Sequence, residues 1–235
     1  MVRTMLLAAA VMAVVASPGR GDEKVAKGQA KVDVFLKKQQ WERAVAAIDE
    51  VLADLARDKT IRFDDDIAPF HAVRGRCHVE LKKFPLAIAD YKKAATMNPK
   101  DPWAPTMAAW FLATCPDDKA RNGKDAVKFA LEANKQWEAY EPPPADVLNN
   151  PSMLLDMLFL PRHVLAAAYA EAGQFKDAAK TLKEFTDELR QANPIALTGL
   201  TLFNPNGEKE LKSRIAKTNE WLELFRNGKP LRIEK

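Results

Sequence analysis

The stretch HAVRGRCHVELKKFPLAIADYKKAATMNP, His71 to Pro99, constrains the fold more than any other part of the chain. Gly75, His78, Phe84, Ala87, Tyr91, Ala94 and Pro99 stand at set distances, mostly alternating small residues with rings before a closing proline. The spacing returns in VLAAAYAEAGQFKDAAKTL, through Ala166, Tyr169, Gly173, Phe175, Ala178 and Leu182. A weaker copy runs through Val32, Phe35, Trp41, Ala44, Ile48 and Val51. A fixed internal period marks stacked supersecondary units. Packing explains the residue types: antiparallel helices approach to about 8–10 Å only where facing side chains are small. Ala87 and Ala178 allow that approach, Gly75 opens room in the partner helix, and the rings fill what remains. A glycine inside a helix costs roughly 1 kcal/mol against alanine, so Gly75 points to a steric need. Pro99 stops the helix before it, lacking an N–H and clashing with the preceding turn.

Elsewhere apolar residues also recur every three or four positions, as in Val45, Ile48, Leu52 and Leu55, or Leu211, Ile215, Leu222 and Phe225. These patterns predict amphipathic helices and an all-α fold. LTGLTLF, Leu197 to Phe203, is the one plausible extended stretch. The 34-residue spacing resembles the tetratricopeptide repeat (TPR), with His78 where tyrosine is common. A further copy is broken: Trp103–Thr114 and Lys124–Trp137 read as helices, with the long connection CPDDKARNG between them. That stretch, AWFLATCPDDKARNGKDAV, is similar to a variant repeat of exported bacterial TPR proteins. The resemblance spans about residues 30–232. It implies a TPR-type α-solenoid in a single domain, 22–235. Repeats are expected at about 25–58, 68–101, 102–140 (degenerate) and 159–192, with a capping helix at 207–227. Two interruptions break the array, Lys59 to Ile67 and Glu141 to Leu158; Met153 to Leu160 is expected to form a short packed helix.

Residues 1–21, MVRTMLLAAAVMAVVASPGRG, have the order of a secretory signal peptide: Arg3, an apolar run from Met5 to Ala16, then small and turn-forming residues. Twelve apolar residues fall short of the roughly 20 that span a bilayer. The expectation is an exported, periplasmic or extracellular protein without stable membrane insertion. Removal of that segment takes away Arg3 and Arg20, leaving a net charge of +2. Nucleic acid calls for a concentrated basic patch, so it is not an expected partner. Cys77 and Cys115 are the two cysteines; a chain this long buries a core without bridges, and two separate buried thiols are expected.

Chemistry finds few anchors. His71 and His78 lie seven apart, about 10.5 Å along a helix, too far to share one metal ion easily. Asp64–Asp66 lacks the alternation, turn glycine and distal glutamate of a calcium loop; Asp66 reads as a helix cap ahead of Pro69. Cys115 has no nearby base, and no phosphate-cradling loop, G-x-S-x-G or H-E-x-x-H motif is present. No catalytic residue, cofactor or metal is assigned. The resemblance implies instead that partner contacts come from the first helix of each pair. Carried over by position, these are Gln29, Asp33 and Lys37, then Arg76, Val79 and Glu80, then His163, Ala167 and Glu171. Asp33 stands where a carboxylate clamp would need asparagine, which disfavours capture of a chain terminus. The reading is a non-catalytic interaction scaffold of the cell envelope that holds a peptide or protein along a concave groove. The alternative is a small-ligand or enzyme-accessory role centred on residues 115–158, and self-association through a solenoid end is a third expectation.

Overall fold

The computed structural model describes residues 23–57, 64–141, 152–192 and 206–233. Among them are nine α-helices and no strand. They are α1 (Glu23–Lys37), α2 (Trp41–Arg57), α3 (Asp64–Glu80), α4 (Phe84–Met97), α5 (Trp103–Thr114), α6 (Gly123–Glu138), α7 (Met153–Glu171), α8 (Phe175–Gln191) and α9 (Gly207–Arg226). The signal-like segment and Leu197–Phe203 lie outside the described residues, as does most of each interruption.

The chain forms two compact units that divide between Pro105 and Thr106. In the first, α1 packs on α2, α2 on α3 and α3 on α4. In the second, α6 packs on α7, α7 on α8, and α9 on both α8 and α7. The small residues sit where the spacing requires them: Ala87 and Ala178 are both 0 % exposed. A Cβ on Gly75 would meet the Ala87 carbonyl oxygen and the Tyr91 ring at 3.2 Å, so glycine is what lets α3 approach α4.

Three hairpins share one turn. Gln40 N–H donates to Phe35 O at 2.9 Å, Lys83 N–H to His78 O at 2.8 Å, and Gln174 N–H to Tyr169 O at 2.8 Å. Each turn passes through one left-handed residue, Gln39 (φ 53°), Lys82 (φ 56°) or Gly173 (φ 77°). This is the Schellman arrangement, which satisfies the last carbonyls of the first helix. An aromatic residue, Trp41, Phe84 or Phe175, then opens the second helix. The recurrence makes the fold repeat-like at the level of hydrogen bonds.

Two elements differ from expectation. Met153–Leu160 is no separate short helix; it continues through Pro161 into one helix ending at Glu171. The run stays helical because both halves bury apolar residues on the same core: Met153, Leu155, Phe159, Leu160 and Val164 are each at most 1 % exposed. The length and apolar composition of α7 would suit a bilayer, yet 67 % of its apolar stretch is buried inside the protein, as in a core helix. Asp66 is not a cap, because α3 already begins at Asp64. The acids therefore occupy the first turn, where the helix dipole favours negative charge.

Candidate functional site

The expected contact residues separate by unit. In the first, Lys37 and Glu80 are exposed, while Gln29, Asp33 and Arg76 are half-buried. Gln29 Nε2 donates to Asp33 Oδ1 at 2.7 Å, tying two of the candidates to each other one turn apart. The Arg76 guanidinium lies 5.6 Å over the Trp41 ring. Val79 is a correction: it is 7 % exposed, because Cys77, His78 and Val79 are all enclosed and the last turn of α3 is buried over a wider arc than one face. An open cleft of about 610 Å³ lies along α1 and α2, with Gly28, Val51 and Leu55 as its floor and Lys27, Lys31, Glu50, Asp54 and Arg57 around it. Lys27 and Lys31 are out of phase with Gln29, Asp33 and Lys37, so this cleft opens on a different face of α1 from the expected groove.

In the second unit the expected groove residues are corrections as well. His163 is 0 % and Ala167 1 % exposed. The reason is α9, which folds back over the hairpin: His163 Nε2 meets Thr218 Oγ1 at 2.7 Å, and the Trp221 ring centroid is 4.7 Å from the imidazole. Glu171 is part of a clamp at the end of α5. Arg121 donates through Nε to Glu171 Oε1 at 3.1 Å and through a terminal nitrogen to the Cys115 carbonyl at 2.7 Å. Arg232 pairs with the other Glu171 oxygen at 2.7 Å. The Asn122 and Ile233 amides donate to the carbonyls of Leu112 and Thr114, both at 2.9 Å. Orphan carbonyls at a helix C-terminus need such partners. The CPDDKARNG connection is therefore a helix-ending device.

Buried charge is organised around two carboxylates that the sequence reading passed over. Asp90 of α4, 5 % exposed, accepts from Arg74 Nε at 3.0 Å and from an Arg74 terminal nitrogen at 2.6 Å. His71 Nδ1 lies 3.3 Å away and His78 Nε2 3.6 Å away. Arg74 also reaches Asp49 of α2 at 2.5 Å, so one guanidinium joins three helices. Burial opposes ionisation of Asp90, but hydrogen bonds from His71 and Arg74 outweigh it and hold the carboxyl below its usual range. The available signal was an aspartate set between Ile88 and Tyr91, inside an apolar run. Asp156 of α7, 0 % exposed, accepts from Arg214 at 2.6 Å, and Arg214 also bonds Glu210. There burial outweighs the arginine and raises the carboxyl.

Nucleophiles and bases are similarly enclosed. Cys77 and Cys115 are free and buried. Burial pushes the Cys77 thiol up to about 12 and raises Cys115 as well. Burial lowers His78 despite Asp90, and burial together with Arg214 brings His163 down to about 3. Among the described residues no group of three or more His, Cys, Asp or Glu side chains is arranged to hold a metal ion. Comparison with protein-family models finds no match, and neither the curated proteins nor the solved structures yield a similar one.

Proposed function

We propose that this chain is a non-catalytic interaction scaffold of the cell envelope, built as a TPR-type solenoid and binding a peptide or protein through α1 and α3. The observation that carries this reading is the set of partly or fully exposed polar side chains on those two helices: Gln29, Asp33, Lys37, Arg76 and Glu80. Amide, carboxylate, ammonium and guanidinium groups supply donors and acceptors for the backbone of an extended peptide. The Trp41 ring, 5.6 Å from the Arg76 guanidinium carbon, supports that side chain on one side. The Cys77 thiol is buried and held protonated, and the imidazoles of His78 and His163 are buried and held neutral, with their basicity weakened. The envelope assignment rests on the charge, apolar and small-residue order of residues 1–21.

The test is a pull-down with crosslinking from intact envelopes, comparing the natural chain with the triple variant Gln29→Ala, Arg76→Ala, Glu80→Ala. The proposal expects at least one crosslinked partner to be lost while the far-ultraviolet circular dichroism is unchanged. Retention of every partner by the folded variant refutes it.

A further inference from the structure

Thr218 determines the state of the buried imidazole. Its hydroxyl donates to the Arg214 carbonyl at 2.8 Å, so its oxygen is left to accept. The 2.7 Å contact from His163 Nε2 is then an N–H donating to that oxygen. Nε2 therefore carries a proton, and burial, which disfavours the cation, leaves the ring neutral with its lone pair at Nδ1. That Nδ1 is buried and without a hydrogen-bond partner, and so is the indole N–H of Trp221 beside it. Phe159 and Phe185 close the cage edge-on, at 5.6 Å and 6.3 Å between ring centroids.

None of the charged groups around this cage is hydrogen-bonded to Nδ1. From α9 comes Arg214, 5.7 Å over the Phe159 ring. The two carboxylates at hand, Asp156 on α7 and Glu210 on α9, are both engaged by that same guanidinium. Arg162 on α7 lies 6.0 Å over the Phe185 ring, adding positive charge. Helix α8 presents the Phe185 ring, and α6 presents the uncharged Asn134, which donates to the Pro161 carbonyl at 3.1 Å. A proton on Nδ1 would create a cation in an apolar cage near two arginines.

We propose that α9 is an acid-released clasp: neutral His163 holds it over the α7–α8 hairpin through Thr218, and a proton taken from solvent onto Nδ1 releases it. Release uncovers the apolar cluster of Leu155, Phe159, Phe185 and Leu189, which Leu211 now helps to cover. The proton goes to Nδ1, and the hydrogen bonds and apolar contacts that join α9 to the hairpin are lost. The closed form resists protonation down to about 3, whereas a free histidine titrates near 6.5. Between those values the open form binds a proton that the closed form refuses, so acid favours opening, about tenfold per pH unit. Asp156 acts in the opposite sense: its raised carboxyl takes up a proton in the closed form and favours closure in acid.

The experiment is hydrogen exchange on the full chain at pH 7.5, 6.5, 5.5 and 4.5, corrected for intrinsic rates and read for the amides of residues 211–222. The expected result is a loss of protection between pH 6.5 and 4.5, at most about fiftyfold for one histidine and smaller where Asp156 opposes it, absent in His163→Phe and steeper in Asp156→Asn. Wild-type protection that does not change with pH overturns the proposal, as does a His163→Phe variant with the wild-type slope. If that variant does not fold at pH 7.5, the imidazole resonances of the natural chain decide. A His163 ring that stays neutral down to pH 4.5 in the closed form supports the clasp. A midpoint near 6.5 with α9 still protected overturns it.

Discussion

Replacing Gly123 with alanine sets helix propensity against packing, and the two predict opposite signs. Gly123 is the first residue of α6, after the Asn122 cap. Helix preference alone favours alanine by up to about 1 kcal/mol, less at a terminus. In the structure the added Cβ would lie 2.5 Å from Ala172 N, 2.6 Å from Ala172 Cα and 2.7 Å from Glu171 C. All three are backbone atoms at the end of α7, which cannot swing aside as a side chain would. Ordinary contact begins at 3.4 Å, so α6 and α7 would have to part by about 0.9 Å. Overpacking of this kind costs about 1–3 kcal/mol. The separation also disturbs the Arg121–Glu171 pair, whose side chains are only 12 % and 13 % exposed, for about 1 kcal/mol more. Set against the propensity gain, the net is about 2 kcal/mol of destabilisation, a Tm lower by about 4–8 °C in a chain of this size. A thermal melt followed at 222 nm measures it. A Tm equal to or above that of the natural chain would refute the close approach of α7 to the start of α6.

Three further outcomes are expected. Asp90→Asn should destabilise the fold by about 3 kcal/mol at pH 7, because it leaves Arg74 without its buried partner. The depressed carboxyl supplies stability above its ordinary pKa and loses it as pH falls through the folded value. The variant's urea midpoint should therefore approach that of the natural chain as the pH falls through and below the ordinary carboxylate range; a gap that stays constant on acidification counts against the pairing. Iodoacetamide at pH 8 should leave Cys77 and Cys115 unmodified in the native protein and label both in 6 M guanidinium without reductant, since the thiols are free, buried and raised; rapid native labelling, or a bridge by mass spectrometry, would be incompatible. Lys82→Gly should stabilise by about 0.5–1 kcal/mol, because Lys82 occupies the left-handed turn position at φ 56° that glycine adopts without a Cβ penalty; a lower chemical-denaturation midpoint would contradict this.

Some of the architecture was legible along the chain and some was not, and the division follows sequence distance. Helix extents such as Trp103–Thr114 coincide with the amphipathic and alanine-rich stretches, and Gly75 and Ala87 meet as their spacing implies. These features depend on neighbours within a turn or within one hairpin, so a local pattern carries them. His163 and Glu171 lay on what read as an open groove, and they are closed over by partners far away in sequence. Thr218 is 55 positions from His163, Arg121 is 50 from Glu171, and Arg214 is 58 from Asp156.

The sequence by itself determined the helical class, the hairpin with its turn and aromatic opening, and the small residues that set how close paired helices come. Only the tertiary structure decided which polar side chains are buried and what they bond, because that depends on where α9 and the C-terminal residues return. Helix periodicity specifies a face; what covers the face is a long-range contact that no local spacing encodes. Charged residues register this most sharply. A buried carboxylate such as Asp90 or Asp156 carries the same letter as a solvated one, and it differs only in the arginine folded against it.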